Sequence, residues 1–101
     1  MIVQFSVVPI GSGEELKQAV AGVIDLIDKS GLPYQVTAMS TLVEGDWEEV
    51  MGLVRRCHEK MRAGHARVMT TIAIDDRAKV HCRLEGKVRD VEQVLGRTLK
   101  K

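Results

Sequence analysis

The chain has 101 residues, 45% of them hydrophobic and 29% charged, an ordinary globular balance for one compact domain over residues 1–101. Fifteen lysines and arginines stand against 14 acids, so a net charge of +1 makes no electrostatic case for a nucleic-acid or anionic-membrane partner. Phe, Tyr and Trp contribute one residue each, which leaves the core to aliphatic side chains. No apolar run approaches the ~20 residues of a membrane span, and "MIVQFSVVPIG" lacks the basic leader and small-residue cleavage site of a signal peptide. The expectation is a soluble cytoplasmic protein.

Residues 2 to 10 alternate, with Val3, Phe5 and Val7 on one face and Ile2, Gln4, Ser6 and Val8 on the other, and Pro9 and Gly11 end this strand. Ser12 with Glu15 three positions later matches a capping box. Leu16, Ala19, Val20, Val23, Ile24 and Ile27 recur at helical spacing as a core face, and Gly31 and Pro33 stop the helix. The segment "YQVTAMSTLVEGDWEEVM" then predicts a hairpin, with strands near 34 to 38 and 41 to 45 around a turn at Ala38 to Thr41. Asp46 resembles an N-cap with Glu49 at the third helical position. Val50, Leu53, Val54, Cys57 and Met61 form an apolar stripe down to Gly64.

"ARVMTTIAID" returns to β-branched composition, with Val68, Thr70, Ile72 and Ile74 on one side and Met69, Thr71 and Ala73 on the other. Residues 76 to 83 read either as a loop or as a short edge strand through Val80 and Cys82. Val88, Val91, Leu95 and Leu99 mark a C-terminal helix. The order β-α-β-β-α-β followed by α is the split βαβ arrangement: an α+β, ferredoxin-like sandwich with an additional C-terminal helix. Right-handed crossovers put both main helices on one sheet face. The other face carries Ile2, Gln4, Ser6, Val8, Met69, Thr71 and Ala73, too apolar for plain solvent and too polar for a continuous core. A homo-oligomer packed sheet against sheet would bury it and leave polar pockets at the seam.

Catalytic patterns are sparse. "GSGEEL" sets acids where a helix N-terminus would have to admit an anion, and no serine stands in a nucleophile elbow. Cys57 beside His58 and His81 beside Cys82 raise a Cys2His2 metal site, but adjacent residues on a helix point about 100° apart, which sets Cys57 and His58 poorly for sharing one ion. The preferred reading is a buried Cys57 with His58 at the edge of the exposed face, and no metal. Asp75, Asp76 and Arg77 end a strand, where carboxylates more often organise a turn than serve as a base. RNA binding by such sheets uses aromatic side chains on the central strands, where this chain has Gln4 and Ser6.

Taken together, "VVPIG", "YQVTAMSTLVEGDWEEVM" and "RVMTTIAIDDR" resemble, in order and spacing, the small thiamine-binding protein family, long grouped with uncharacterised proteins. The resemblance implies a ferredoxin-like subunit in dimers or tetramers that binds thiamine or its hydroxymethylpyrimidine portion near subunit contacts, with no catalysis and no required cofactor. An aminopyrimidine needs an acceptor for its amine, partners for its ring nitrogens and apolar surface on its faces. Glu44 is the candidate acceptor; Ser6, Thr37, Ser40 and Thr41 are candidate ring partners; Met39 or Trp47 would pack on the ring. Gln4 and Thr71, on the uncovered face, are interface residues or weaker ligand candidates.

Plainer roles stand beside these. Ser40 and Thr41 can close the hairpin, Met39 can pack in a turn or interface, and Trp47 can act as a packing lid. A structural or regulatory oligomer without a ligand is the alternative, followed by a metal protein. If the hairpin carries the site, its hydroxyls and Glu44 are expected together at one end of the sheet, beside the uncovered face.

Overall fold

A computed structural model describes residues 1–11, 16–78 and 83–100. The elements are β1 (Ile2–Pro9), α1 (Leu16–Lys29), β2 (Tyr34–Val36), β3 (Thr41–Glu44), α2 (Trp47–Gly64), β4 (Val68–Asp75) and α3 (Arg83–Leu95). The four strands form one antiparallel sheet in the order β2-β3-β1-β4, the order of a split βαβ sandwich. The capping box expected at Ser12 and Glu15, and the edge strand through Val80 and Cys82, fall outside the described residues.

Alternation along the strands sets the two faces. Val3 pairs with Val43 and Ile74, and Phe5 with Thr41 and Ile72, so these side chains share the face under the helices. There Val3, Phe5 and Val43 meet Val23 and Ile27 of α1 and Val50, Leu53, Val54, Cys57 and Met61 of α2 in one buried cluster. Every residue of the α2 stripe is buried. The cap of α2 is complete as well: Asp46 accepts from the Glu49 N–H at 2.8 Å, and the Glu49 carboxylate accepts from the Asp46 N–H at 3.2 Å. Asp46→Ala removes one arm of this box and is expected to cost about 1 kcal/mol. In urea titration the midpoint should fall with the slope unchanged.

The hairpin forms where expected, but its strands are shorter. Residues 37 to 40 make the connection, closed by the Thr37 N–H donating to the Ser40 carbonyl at 2.8 Å. The hairpin therefore stops at the Val36, Thr41, Phe5 row, four residues before β1 ends at Pro9. That shortness explains a correction to the core face of α1. Val23 and Ile27 are buried, yet Leu16 and Val20 remain 44% and 40% exposed. The first turns of α1 begin from the far end of β1, beyond the reach of the hairpin. On β4, an edge strand, Ile72 and Ile74 are likewise only partly covered.

Two helices close on glycines with positive φ, which an L side chain rarely adopts. Gly31 (φ 78) follows α1, and Gly96 (φ 70) follows α3, where the Gly96 and Arg97 N–H groups both donate to the Glu92 carbonyl. Leu99 therefore lies past the C-terminal helix instead of extending its stripe. Its N–H donates to the Glu92 carboxylate at 2.6 Å.

Candidate functional site

The face turned away from α1 and α2 is ordered in cross-strand rows. Ile2 lies between Glu44 and Asp75, Gln4 between Leu42 and Ala73, Ser6 beside Thr71, and Val8 beside Met69. Gln35 extends the Gln4 row, since it pairs with Leu42. One end of the face is thus acidic, the middle carries neutral hydrogen-bonding groups, and the other end is apolar with Val8 and Met69 exposed.

In the middle, the Gln4 carboxamide donates to Ser40 Oγ at 2.8 Å. The pair leaves one acceptor, Gln4 Oε1, next to one donor, the Ser40 hydroxyl hydrogen. An amidine edge, which offers an amine hydrogen beside a ring nitrogen lone pair, is the complement of that arrangement. Ser6, half-buried, and Thr71 flank it on the same face.

α3 comes to the acidic end. Lys87 Nζ lies 3.0 Å from Asp75 Oδ2, and this hydrogen bond and charge hold the Asp75 carboxyl below its ordinary value. The shift is downward, so the attraction is present above about pH 4 and is lost as the pH falls below it. Both side chains are more than half exposed, which keeps the pair weak. Lys87→Ala should raise the Asp75 carboxyl toward its ordinary value in an NMR titration and quicken amide exchange along α3 at constant pH. Between α3 and β2 lies a hollow of about 450 Å³ lined by Tyr34, Gln35, Leu84, Glu85, Val88 and Arg89. The Tyr34 hydroxyl donates to Asp28 at 2.7 Å, which ties the β2 edge to α1 and pushes the phenol's pKa up.

The candidate residues divide into separate groups. Ser6, Ser40, Gln4 and Thr71 share the open face. Thr41 is buried at 7% exposure and points with Val43 into the helix side, so it cannot meet them. Thr37 is used by the turn, donating to the Ser40 carbonyl at 2.9 Å and accepting from the Met39 and Ser40 N–H groups. Met39 is 87% exposed at the tip. Glu44 lies at the opposite end of β3 from Ser40, about 13 Å away for four extended residues, and Trp47 opens α2 beyond that same end. The expectation that Glu44 and the hairpin hydroxyls meet at one sheet end is therefore corrected: antiparallel pairing sends the two ends of β3 to opposite ends of the face.

Cys57 and His58 diverge, as their helical spacing requires. Cys57 is fully buried with Sγ 4.0 Å from the Val23 carbonyl, and burial pushes its thiol up to about 11. His58 Nδ1 lies 2.6 Å from Thr70 Oγ1 and links α2 to β4. His81 and Cys82 lie outside the described residues. No group of three or more metal-ligating side chains occurs among the described residues.

Sequence profiles then decide the family. The profile described as "Thiamine-binding protein" matches residues 3–92, from β1 into α3, including the open-face patch and the hollow. The chain belongs to the thiamine-binding protein family. Among its relatives, the UPF0045 protein Mb1933 of Mycobacterium bovis is 42% identical over 96 residues, covering 94% of each chain. The UPF0045 protein sll0230 of Synechocystis is 34% identical over 94% of this chain and 79% of that one. Solved structures of similar proteins share the fold. Hypothetical protein MJ1052 of Methanocaldococcus jannaschii superposes with a TM-score of 0.81 at 25% identity, over 91% of this chain and 95% of that one. A proposed thiamine biosynthesis/salvage protein of Thermotoga maritima superposes with a TM-score of 0.78 at 28% identity, over 89% of this chain and 96% of that one.

Sequence reasoning about this thiamine-binding family member missed the hollow. Val88 was visible in the stripe of α3, but Gln35, Glu85 and Arg89 carry no periodic signal. Only the placement of α3 against β2 brings them together.

Proposed function

We propose that the protein binds thiamine or its hydroxymethylpyrimidine half on the open sheet face, without turnover, in cofactor sequestration, delivery or sensing. The observation that carries this reading is the Gln4–Ser40 pair. It holds an acceptor and a donor side by side on a face that the two main helices leave open. Membership of the thiamine-binding family and the thiamine-related description of the Thermotoga maritima neighbour support the ligand class. The apolar end at Val8 and Met69 gives ring and methyl groups a surface, and a second copy packed on this face, as a dimer or tetramer, would remove the ligand from water.

Isothermal calorimetry on ligand-free protein with thiamine and with hydroxymethylpyrimidine tests the proposal. Saturable heat with either supports it; no heat with both overturns it. The competing reading, a structural oligomer with no ligand, is favoured by the exposure of apolar Val8 and Met69 on the same face. It requires concentration-dependent assembly that thiamine leaves unchanged, measured by analytical ultracentrifugation.

A further inference from the structure

On the opposite side of the molecule, α1 and the end of α2 enclose a second hollow, about 330 Å³, lined by Gln18, Ala19, Gly22, Lys60, Met61, Gly64 and His65. Among the described residues its wall contains a lysine, a histidine and a primary amide, and no carboxylate. The Lys60 stem crosses close over α1 at Gly22: a Cβ built there would lie 2.9 Å from Lys60 Cε, so a larger residue at this position would push the lysine stem aside. No hydrogen bond or ion pair engages the Lys60 ammonium among the described residues. The acids nearest in sequence on the two helices are already paired, Glu59 with Arg55 and Asp25 with Lys29.

His65 is also oriented. Its Nδ1 lies 2.9 Å from the Met61 carbonyl. A carbonyl only accepts, so Nδ1 carries the proton and Nε2 is left for a ligand. The Arg62 guanidinium donates to the His65 carbonyl at 3.1 Å, adding positive charge beside the hollow. Ammonium, imidazole and carboxamide on one concave wall are the groups that bind a phosphate oxyanion.

We propose that this hollow is a second binding site, separate from the open face, for a phosphate group. Lys60 supplies the counter-charge, Gln18 donates from its amide, and His65 Nε2 accepts the hydrogen of a monoanion or donates to a dianion when protonated. The volume exceeds that of free phosphate and leaves room for the small organic part of a phosphomonoester.

The test is an NMR titration of the intact chain with inorganic phosphate and, separately, with glycerol 2-phosphate, at constant ionic strength with sodium chloride as the control. Binding should shift the His65 ring resonances saturably, with His65→Gln assigning them. Lys60→Gln should weaken the response at least tenfold. A second variant, Gly22→Ala, keeps the charge but displaces the Lys60 stem; since only the far end of a flexible side chain must move, it should fold normally and still weaken the response. A stronger response to the ester identifies a phosphomonoester as the ligand, and equal responses identify the phosphate group alone as what is recognised. A response no larger than that to chloride, or one unchanged in Lys60→Gln, overturns the proposal.

Discussion

Gln4→Ala is expected to weaken binding of thiamine and of hydroxymethylpyrimidine by about ten- to a hundredfold, the roughly 1–3 kcal/mol lost when a buried polar ligand group loses its partner. The substitution removes the acceptor beside Ser40 and also the donor that orients the Ser40 hydroxyl. Gln4 is exposed in the free chain and takes no part in the core, so folding stability should change by no more than about 0.5 kcal/mol. A loss of heat in calorimetry with an unchanged urea midpoint is thus a statement about the site. Glu44→Ala provides the contrast, because the length of β3 separates Glu44 from Ser40. It should reduce affinity less than threefold. Undiminished binding in Gln4→Ala would move the ligand off this patch, and a large loss in Glu44→Ala would place it at the acidic end.

Leu53→Ala is expected to destabilise the domain by about 2–5 kcal/mol, the range for removing a buried leucine and leaving part of its volume empty. Leu53 has no exposed surface and belongs to the cluster that joins both main helices to the sheet. For a domain near 100 residues each kcal/mol corresponds to roughly 4–8 °C in melting temperature, and total stability is only about 5–15 kcal/mol. The variant should therefore melt well below the parent or fail to accumulate. Met39→Ala changes a side chain that is 87% exposed and should stay within about 0.5 kcal/mol. Comparable melting of the two variants would show that the core is not where the structure puts it.

These expectations draw unequally on what could be read in advance. The stripe Val50, Leu53, Val54, Cys57, Met61 was legible because helical spacing and burial describe the same face once a helix forms, and its cap at Asp46 and Glu49 is a local contact within four residues. The alternation of β1 likewise separated Val3 and Phe5 from Gln4 and Ser6. The α1 stripe was less informative: periodicity marked Leu16 and Val20 as apolar, but the length of the neighbouring hairpin determines whether anything lies against them. The candidate site was legible only in part. Its residues share a short segment of sequence, and proximity in sequence says little about proximity across a strand that carries its ends apart.

Element order, the two faces of β1, the buried face of α2 and the family resemblance follow from the residues themselves, because each depends on a period, a cap or a motif only a few positions long. The pairing of Gln4 with Ser40, the inward turn of Thr41, the distance of Glu44 from the hairpin turn, and the two hollows at Tyr34 and Lys60 depend on the tertiary structure. They arise where antiparallel register and helix packing bring together groups up to about 70 residues apart in the chain, as His65 and Gln18 or Gln4 and Thr71 are. No local signal encodes such a meeting, since it is set by strand length and layer packing.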